Sequence, residues 1–546
     1  MTTVVAPASR NAACPCGSGR RFKDCHGALR ATAMTWVRRA LAEMQARRYA
    51  AAEASFREAA KLDPDEARIH ADIATLCILQ KRHDDAEAPL ARALELEPAH
   101  PYALCVYTHI RQRHCAWSGL SELHRRVGEA LDRGIDASYQ FSVFPILSMP
   151  TTPAQQRVGA EWTASMFAPR VPVPRPSLHG RPGERLRIGF VTSDFRPHPR
   201  VNLMMELWER IDRSRFEMFA YGLLPRDEGP VGQRVERAFE HFVDVAAEPD
   251  TRIAQRIRDD RIAIAFDLNG YTTHARERVF ALRPAPLLVN AIGFQCTLGT
   301  TWHDYILCDR FCIPESLQRF YSERPLYMPH VLYPSDTTRL SKDAAPSRAA
   351  CGLPEHGFVF CCFNNAYKIL PDVFAVWMRL LAQVPDSVLW LLETGGPAKA
   401  NLRREAATAG IDPQRLVFAP RAAVEAHVAR NAAADLFLDT FPYGAHTTAN
   451  DALLAGLPLV TRIGETLVSR IAGSQLATIG LPELITETLA DYEALALSLA
   501  TQPTRLAGIR ERLAIQRRTM PLFDMAQYAR DFEAAMETIW REHASA

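Results

Sequence analysis

The sequence has neither an excess of charge of one sign nor a long apolar run. Its 64 lysines and arginines nearly balance its 62 aspartates and glutamates, so no overall field attracts nucleic acid or an anionic membrane. No apolar stretch approaches the roughly 20 residues that span a bilayer, and residues 1–20 lack the charged and apolar regions of a secretory signal. We therefore expect a cytoplasmic protein that binds neither nucleic acid nor membrane.

The cysteines show no disulfide pattern. Twelve are present, most of them scattered, and Cys361 and Cys362 lie within an apolar run. Buried thiols of this kind are typical of a reducing compartment. At 546 residues, 48% of them hydrophobic, the chain is long enough for three or four domains of roughly 150 residues each.

The first 30 residues carry a compact set of soft ligands. Cys14, Cys16, Cys25 and His26 have the spacing C-x-C-x8-C-H, which can close a tetrahedral zinc site. The alternative is a disordered basic tail with free thiols. The segment also resembles the SEC-C motif, and that resemblance implies a structural zinc knuckle for contact with a partner protein.

A helical repeat follows. Residues 49–64 recur as residues 83–98, and the prolines that end them, Pro64 and Pro98, are 34 residues apart, which is the period of tetratricopeptide repeats. A single amphipathic hairpin is the alternative. We expect a further helical stretch at about 101–140 to cap the repeats, and the repeats to bind acceptor proteins.

After a proline-rich connector at 150–185, short apolar runs alternate with amphipathic stretches. The runs are residues 186–191, 216–223, 261–268 and 286–292, and then 358–363, 387–392, 415–419, 435–439 and 458–461. Strands alternating with helices predict parallel sheets covered by helices, here as two Rossmann-like halves that face a cleft. The predicted domains are 1–30, 31–150, the linker 151–185, 186–345 and 346–546 with its C-terminal helices.

Three segments carry candidate functional residues. Thr447 and Thr448 begin a predicted helix after a strand that ends at Asp439, where backbone N–H groups favour an anion. Lys368 follows the first strand of the second half and can neutralise a diphosphate. An N-capped helix and a solvated loop lysine are the ordinary alternatives.

In the first half, His198 follows the first strand and is a candidate general base or acceptor-positioning group. Asp267, at the end of a later strand, is the rival carboxylate. A purely structural role is the alternative for both residues.

Together these segments resemble the O-GlcNAc transferase and SPINDLY family, glycosyltransferase family 41, in the family's order over about residues 115–543. The resemblance is carried by motifs that begin at Leu186 (LRIGFVTSDF), Asn269 (NGYT), Phe363 (FNNAYK), His446 (HTT) and Gly464 (GETLVSR). It implies a multidomain protein with all-α tetratricopeptide-type repeats followed by an α/β GT-B region. It further implies inverting transfer of a sugar, mostly from UDP-GlcNAc, to Ser/Thr of proteins.

The resemblance also implies roles for single residues. Lys368 corresponds to a lysine on the donor diphosphate, and His198 to a histidine once proposed as base. The other donor-binding residues implied are Asn365, His427 near the uracil, His446, Thr447 and Thr448 at the phosphates, and Asp451 at the ribose.

No pair of metal-binding carboxylates is apparent in the catalytic half, because the sole Asp-x-Asp, Asp63-Pro-Asp65, lies in the repeat. A departing diphosphate must then be met by fixed cations and helix N-termini, which favours a metal-independent mechanism.

Three positions depart from the animal enzymes of the family: Asn365 replaces Gln, Val424 replaces Lys, and Asn202 replaces a second histidine. They leave GDP-fucose and UDP-glucose open as donors. A catalytically weak adaptor that binds proteins through its repeats is the alternative from another functional class.

Overall fold

The computed structural model describes residues 9–135, 141–177, 184–340 and 345–544. The chain divides into two compact units, residues 1–142 and 143–546. No helix within the described residues combines the length and the apolar character that a bilayer span requires. Residues 178–183 of the predicted linker, and 341–344 at the predicted join of the two halves, lie outside the described residues.

The first unit is built from helices in which each packs against the next along the chain. These are α1 His26–Gln45, α2 Tyr49–Leu62, α3 Ala67–Leu79, α4 Glu87–Leu96, α5 Pro101–Arg113 and α6 Leu120–Arg133. Fully buried small residues such as Ala52, Ala74 and Ala93 allow the helices to approach closely. The second repeat copy begins with a 3-10 turn at Asp84–Ala86 before α4. Helix α1 runs through the predicted boundary at residue 30.

The predicted linker is partly helical. Helix α7 spans Pro153–Ser165, with Thr152 as its N-cap in a capping box with Gln155. Proline is tolerated at the first helical position, and the next proline is Pro169, beyond the end of the helix. The prediction that residues 150–185 form a connector was therefore wrong for α7, which is a regular helix.

The first Rossmann-like half contains a seven-stranded sheet within the described residues. Its strands are β1 Leu186–Thr192, β2 Phe216–Gly222, β3 His241–Asp244, β4 Ile264–Asp267, β5 Leu287–Asn290, β6 Tyr305–Asp309 and β7 Arg324–Met328. Its helices are α8 Pro199–Arg210, α9 Pro230–Arg237, α10 Asp250–Asp259 and α11 Glu277–Ala281. All pairings are parallel, in the order β3-β2-β1-β4-β5-β6-β7.

The second half repeats this plan with six strands in the described residues. They are β8 Val359–Cys362, β9 Val388–Leu392, β10 Leu416–Ala419, β11 Leu436–Leu438, β12 Leu459–Arg462 and β13 Ile485–Thr486. Its helices are α12 Pro371–Gln383, α13 Ala398–Thr408, α14 Val424–Arg430, α15 Thr447–Leu454 and α16 Ile471–Thr478. The order is β10-β9-β8-β11-β12-β13, again parallel throughout.

The C-terminal helices pack back on both halves. They are α17 Leu489–Thr501, α18 Pro503–Thr519 and α19 Met525–Ala544. Helix α17 contacts α12 of the second half, whereas α19 contacts α8 of the first. Phe532 of α19 lies 5.4 Å from the Phe266 ring, and its neighbour Glu533 pairs with Arg215 at 2.9 Å. The end of the chain therefore ties the halves together.

Candidate active site

The candidate residues lie where the strand order of each sheet reverses. In a parallel sheet such a switch point opens a crevice at the carboxyl ends of two neighbouring strands. In the second half these strands are β8 and β11, which lead to Lys368 and Asp439 respectively. In the first half they are β1 and β4, which lead to His198 and Asp267. The topology therefore places both predicted clusters at crevices suited to a ligand.

Asp439 organises the loop of the second half. Its Oδ1 accepts hydrogen bonds from Asn364 Nδ2 (3.1 Å) and from the backbone N–H groups of Thr440 (2.7 Å) and Ala445 (2.6 Å). Its Oδ2 accepts one from Thr461 Oγ1 at 2.7 Å. Burial raises the pKa of Asp439 to about 6, although these donors oppose the shift. The carboxylate therefore holds residues 439–445 in a defined conformation.

Lys368 ends a short 3-10 helix that follows β8. It is 9% exposed, its Nζ donates to the Gly444 carbonyl at 2.8 Å, and the same atom lies 3.9 Å from the centre of the Tyr443 ring. Burial lowers the pKa of Lys368 to about 8, with the charge of Asp439 opposing the shift. The ammonium group is thus weakly solvated, which strengthens its attraction for an anion.

Helix α15 begins at Thr447, as predicted, and its first N–H groups have no acceptor within the helix. Thr447 and Thr448 are partly exposed. Thr448 Oγ1 donates to Asn364 Oδ1 at 2.5 Å, which joins the helix start to the Asp439 network. The helix start therefore offers backbone N–H donors. It also offers the hydroxyl of Thr447, which forms no hydrogen bond with the described residues.

His446 precedes this helix and is 7% exposed. Its Nε2 lies 3.0 Å from the Val468 carbonyl, so Nε2–H donates there and Nδ1 is left as an acceptor, 3.5 Å from the Tyr333 hydroxyl. Burial, and then the charge of Lys368, lower the pKa of His446 well below its usual range. The imidazole is therefore neutral and fixes the loop, and a positive charge on His446 is not available to phosphate.

Asp451 of α15 and His427 of α14 approach each other. Asp451 Oδ1 accepts a hydrogen bond from Arg339 at 2.6 Å, and its Oδ2 lies 4.0 Å from His427 Nε2. Arg430 donates to His427 Nδ1 at 2.6 Å, and burial lowers the pKa of His427 to about 4. His427 therefore carries its proton on Nε2, next to the one oxygen of Asp451 that Arg339 leaves free.

Asn365 is solvent-exposed and caps no helix through its side chain. The neighbouring Asn364, which the sequence analysis did not single out, is 2% exposed and bridges Asp439 to Thr448. In the sequence, both asparagines stand directly after β8, and nothing distinguishes them there. In the structure, Asn364 is buried and Asn365 is exposed.

His198 is the N-cap of helix α8 in the first half. Its Nδ1 accepts a hydrogen bond from the Arg200 N–H at 3.2 Å, so in the neutral ring the proton sits on Nε2. Burial, and then Arg196, lower the pKa of His198, although 38% of its side chain is exposed. A neutral imidazole with Nε2–H donates a hydrogen bond, which favours the predicted positioning role over that of a base.

Asp267 is fully buried. Its Oδ1 accepts hydrogen bonds from the N–H groups of Asn269 (2.8 Å) and Gly270 (2.9 Å), which shapes the turn after β4. The structure therefore gives this carboxylate no surface from which to reach an acceptor hydroxyl. It also brings Asp267 together with Glu277 and His303, a cluster that the sequence analysis did not set apart.

Residues 331–340 join the two crevices. Thr337 donates to Glu206 of α8 at 2.8 Å, whereas Ser335 donates to Asn450 of α15 at 2.8 Å. Arg339 binds both Asn450 and Asp451. This segment therefore anchors helix α8, which His198 caps, and helix α15, which starts at Thr447. No sequence motif pointed to Arg339 or Tyr333, because the residues that they contact, Asp451 and His446, are more than 100 residues away in the sequence.

The predicted zinc ligands converge within the first unit. One ligand atom from each of Cys14, Cys16, Cys25 and His26 lies within 4.8 Å of the others. Cys16 Sγ and Cys25 Sγ are 3.7 Å apart, and Cys14 Sγ lies 3.1 Å from His26 Nδ1. Two thiolates on a tetrahedral zinc, with bonds of about 2.3 Å, are about 3.8 Å apart. The donor set and its spacing fit a structural zinc ion.

Sequence comparisons confirm the three resemblances. The model of glycosyl transferase family 41 matches residues 170–345 and 339–532, that of the SEC-C motif matches residues 10–28, and that of a tetratricopeptide repeat matches residues 43–104. The family match covers both Rossmann-like halves and every donor-site candidate described above.

Two relatives are named as UDP-N-acetylglucosamine–peptide N-acetylglucosaminyltransferases. The probable enzyme SEC of Arabidopsis thaliana is 35% identical over 80% of this chain and 47% of its own length. The enzyme of Caenorhabditis elegans is 29% identical over 79% of this chain and 48% of its own. The chain thus spans about half the length of these relatives. A solved O-GlcNAc transferase mutant of Thermobaculum terrenum is 23% identical, with a TM-score of 0.74 over 95% of this chain and 99% of that one, which shows the shared fold.

Proposed function

Because the chain belongs to glycosyl transferase family 41, we propose that it transfers a sugar from a nucleotide sugar to Ser/Thr of acceptor proteins. The donor that we propose is UDP-GlcNAc, with GDP-fucose and UDP-glucose as the alternatives. The names of the relatives support this donor and a peptide acceptor. The observation that carries the proposal is the buried Lys368 beside the start of α15, at a switch point of the sheet.

The reaction needs stabilisation of the leaving diphosphate. When the C1–O bond of the sugar breaks, negative charge develops on the phosphate oxygen, and preorganised donors stabilise it most. Lys368 provides a cation, and the N–H groups of Thr447 and Thr448 provide dipoles. Asp439, Asn364 and the neutral His446 hold these donors in place before substrate binds. A site of this kind supports metal-independent catalysis.

Inversion follows from a single displacement. The acceptor hydroxyl attacks C1 from the face opposite the diphosphate, its oxygen forms the new bond, and its proton passes to a base. Nε2–H of His198 can donate to the donor or the acceptor and so orient it. We assign this positioning role to His198, and to Asp267 a structural one. In the second half, we assign binding of the donor's ribose to Asp451 Oδ2 and binding of its nucleobase to His427 Nε2–H.

The remaining parts recruit protein. The helical repeats form a surface suited to acceptor proteins, and the Cys14–His26 knuckle, with zinc bound, suits a further protein partner. The buried free cysteines, including Cys361 and Cys362, favour a reducing compartment such as the cytoplasm.

A parallel assay with three donors tests the proposal. The full chain is incubated with UDP-GlcNAc, UDP-glucose or GDP-fucose and a mixture of Ser/Thr peptides, and nucleotide release and peptide mass are measured. We expect transfer from UDP-GlcNAc that persists in EDTA in a Cys14→Ser, Cys16→Ser variant. Nucleotide binding without release from any donor would instead support the adaptor function. Loss of transfer in EDTA that added magnesium or manganese restores would contradict the metal-independent mechanism.

A further inference from the structure

Three side chains distant in sequence meet inside the first half. Asp267 ends β4, Glu277 begins α11, and His303 lies in the turn before β6. One ligand atom from each lies within 4.8 Å of the others. The residues are 0%, 2% and 4% exposed, respectively. The cluster is therefore interior, separate from the second half's Lys368 site.

The atoms that face each other in this cluster are unpartnered. Both Oε atoms of Glu277, Oδ2 of Asp267 and Nε2 of His303 are buried without a hydrogen-bond partner. The remaining ligand atoms are committed elsewhere: Asp267 Oδ1 accepts two backbone N–H groups, and His303 Nδ1 lies 3.0 Å from Thr300 Oγ1. When Nδ1–H donates to Thr300, Nε2 presents its lone pair to the carboxylates, as in metal-bound histidines.

The spacing suits ligands of one ion better than hydrogen-bond partners. His303 Nε2 and Asp267 Oδ2 are 3.6 Å apart, which is too long for a hydrogen bond. Tetrahedral bonds of about 2.0–2.2 Å place two zinc ligands about 3.3–3.6 Å apart. The two free oxygens of Glu277 can supply the remaining two positions by bidentate binding.

The two carboxylates of the cluster also favour binding of a cation. Within the described residues no arginine or lysine forms an ion pair with Asp267 or Glu277. Two buried carboxylates are costly unless they are paired, and a divalent ion would neutralise both.

We propose that Asp267, Glu277 and His303 form a buried structural site for one divalent transition metal ion, with zinc as the ion. Imidazole and carboxylate ligands suit zinc, and the absence of exposed ligand atoms leaves no position for substrate. The ion would fasten α11 and the turn before β6 to the end of β4, and so fix the carboxyl edge of the first sheet. This inference does not depend on the proposed transferase activity.

The test separates this site from the N-terminal one. The full chain carrying Cys14→Ser and Cys16→Ser is produced with added zinc, desalted and analysed for metal. We expect about one zinc per chain, which EDTA removes slowly because the ligands are buried. Adding Glu277→Gln, which keeps shape but removes a charged ligand, should remove that zinc. Glu206→Gln, at another buried glutamate of the same half whose oxygens face Arg210 and Thr337 and not the cluster, is the matched control and should retain it.

Cobalt gives a second measurement. Cobalt in place of zinc should show visible absorption without the thiolate charge-transfer band of a cysteine site, and Glu277→Gln should abolish it. We expect the metal-loaded chain to melt at least about 5 °C above Glu277→Gln. His303→Gln serves as the second variant if Glu277→Gln does not fold. A parent chain with less than about one tenth of a metal ion per chain would overturn the proposal and assign a shared proton to Asp267 and Glu277. Zinc retained by Glu277→Gln would also overturn it, because the ion would then be bound elsewhere.

Discussion

The charge of Lys368 should control nucleotide affinity between pH 7 and 9. Its pKa is about 8, lowered by burial, so the charged fraction falls from about nine tenths at pH 7 to about one tenth at pH 9. The sign follows from the direction of the shift: a lysine whose pKa is lowered loses its charge as pH rises through about 8. A bound diphosphate favours the ammonium form, so nucleotide binding above pH 8 takes up a proton.

The expected loss of affinity is about tenfold, or about 1.4 kcal/mol, between pH 7 and 9. Few neighbours contribute to this change. Burial keeps the pKa values of His446 and His427 below this range and that of Tyr443 above it, and Asp439, with a pKa of about 6, is ionised throughout. The second ionisation of a phosphate, with a pKa of about 6, is already about nine tenths complete at pH 7.

Calorimetric titration with UDP and GDP at pH 7, 8 and 9 measures the effect. Lys368→Met keeps the length of the side chain without the charge, so its affinity should be low at pH 7 and nearly independent of pH. Turnover of this variant should fall by about 10²–10³-fold, as on loss of one electrostatic stabiliser. Unchanged affinity of the parent chain up to pH 9, or an equal decline in Lys368→Met, would refute the reasoning.

Three further predictions concern the rest of the chain. Thr447→Val should weaken UDP and GDP binding without changing the melting temperature. Thr448→Val should also lower the free energy of unfolding by about 0.5–1.5 kcal/mol, because Thr448 donates to Asn364. Calorimetric titration beside a thermal melt tests both variants, and unchanged nucleotide affinity in the double variant would show that the threonines only support the helix. His198→Asn keeps an acceptor for the Arg200 N–H but loses Nε2–H, so turnover should fall at least about tenfold with little change in melting temperature; full activity of this variant would leave His198 with a capping role alone. Cys14→Ser with Cys16→Ser should reduce the zinc content of the full chain by one equivalent and leave peptide turnover unchanged, and an unaltered zinc content would exclude the N-terminal site.

Local patterns in the sequence were sufficient for the architecture. The nine predicted strands all formed, because short apolar runs between turn residues bury on both faces of a parallel sheet. Strands β3, β6, β7 and β13 were not predicted. Strand β3 is only partly buried and β13 has two residues, so neither forms a clear apolar run. Ligand sets close in sequence, such as Cys14 to His26, and helix starts such as Thr447 were also predictable, because their geometry depends on neighbouring residues.

Tertiary structure alone decided which polar side chains are free to act. Asp267 looked like a base at a strand end, yet it is fully buried and meets Glu277 and His303. His198 looked like a base as well, but the Arg200 N–H occupies its Nδ1 and sets the position of its proton. Arg339, which binds Asp451 across the halves, left no local signal. Burial, tautomer and pairing depend on groups that the fold brings from tens to more than a hundred residues away, and spacing along the chain does not encode those distances.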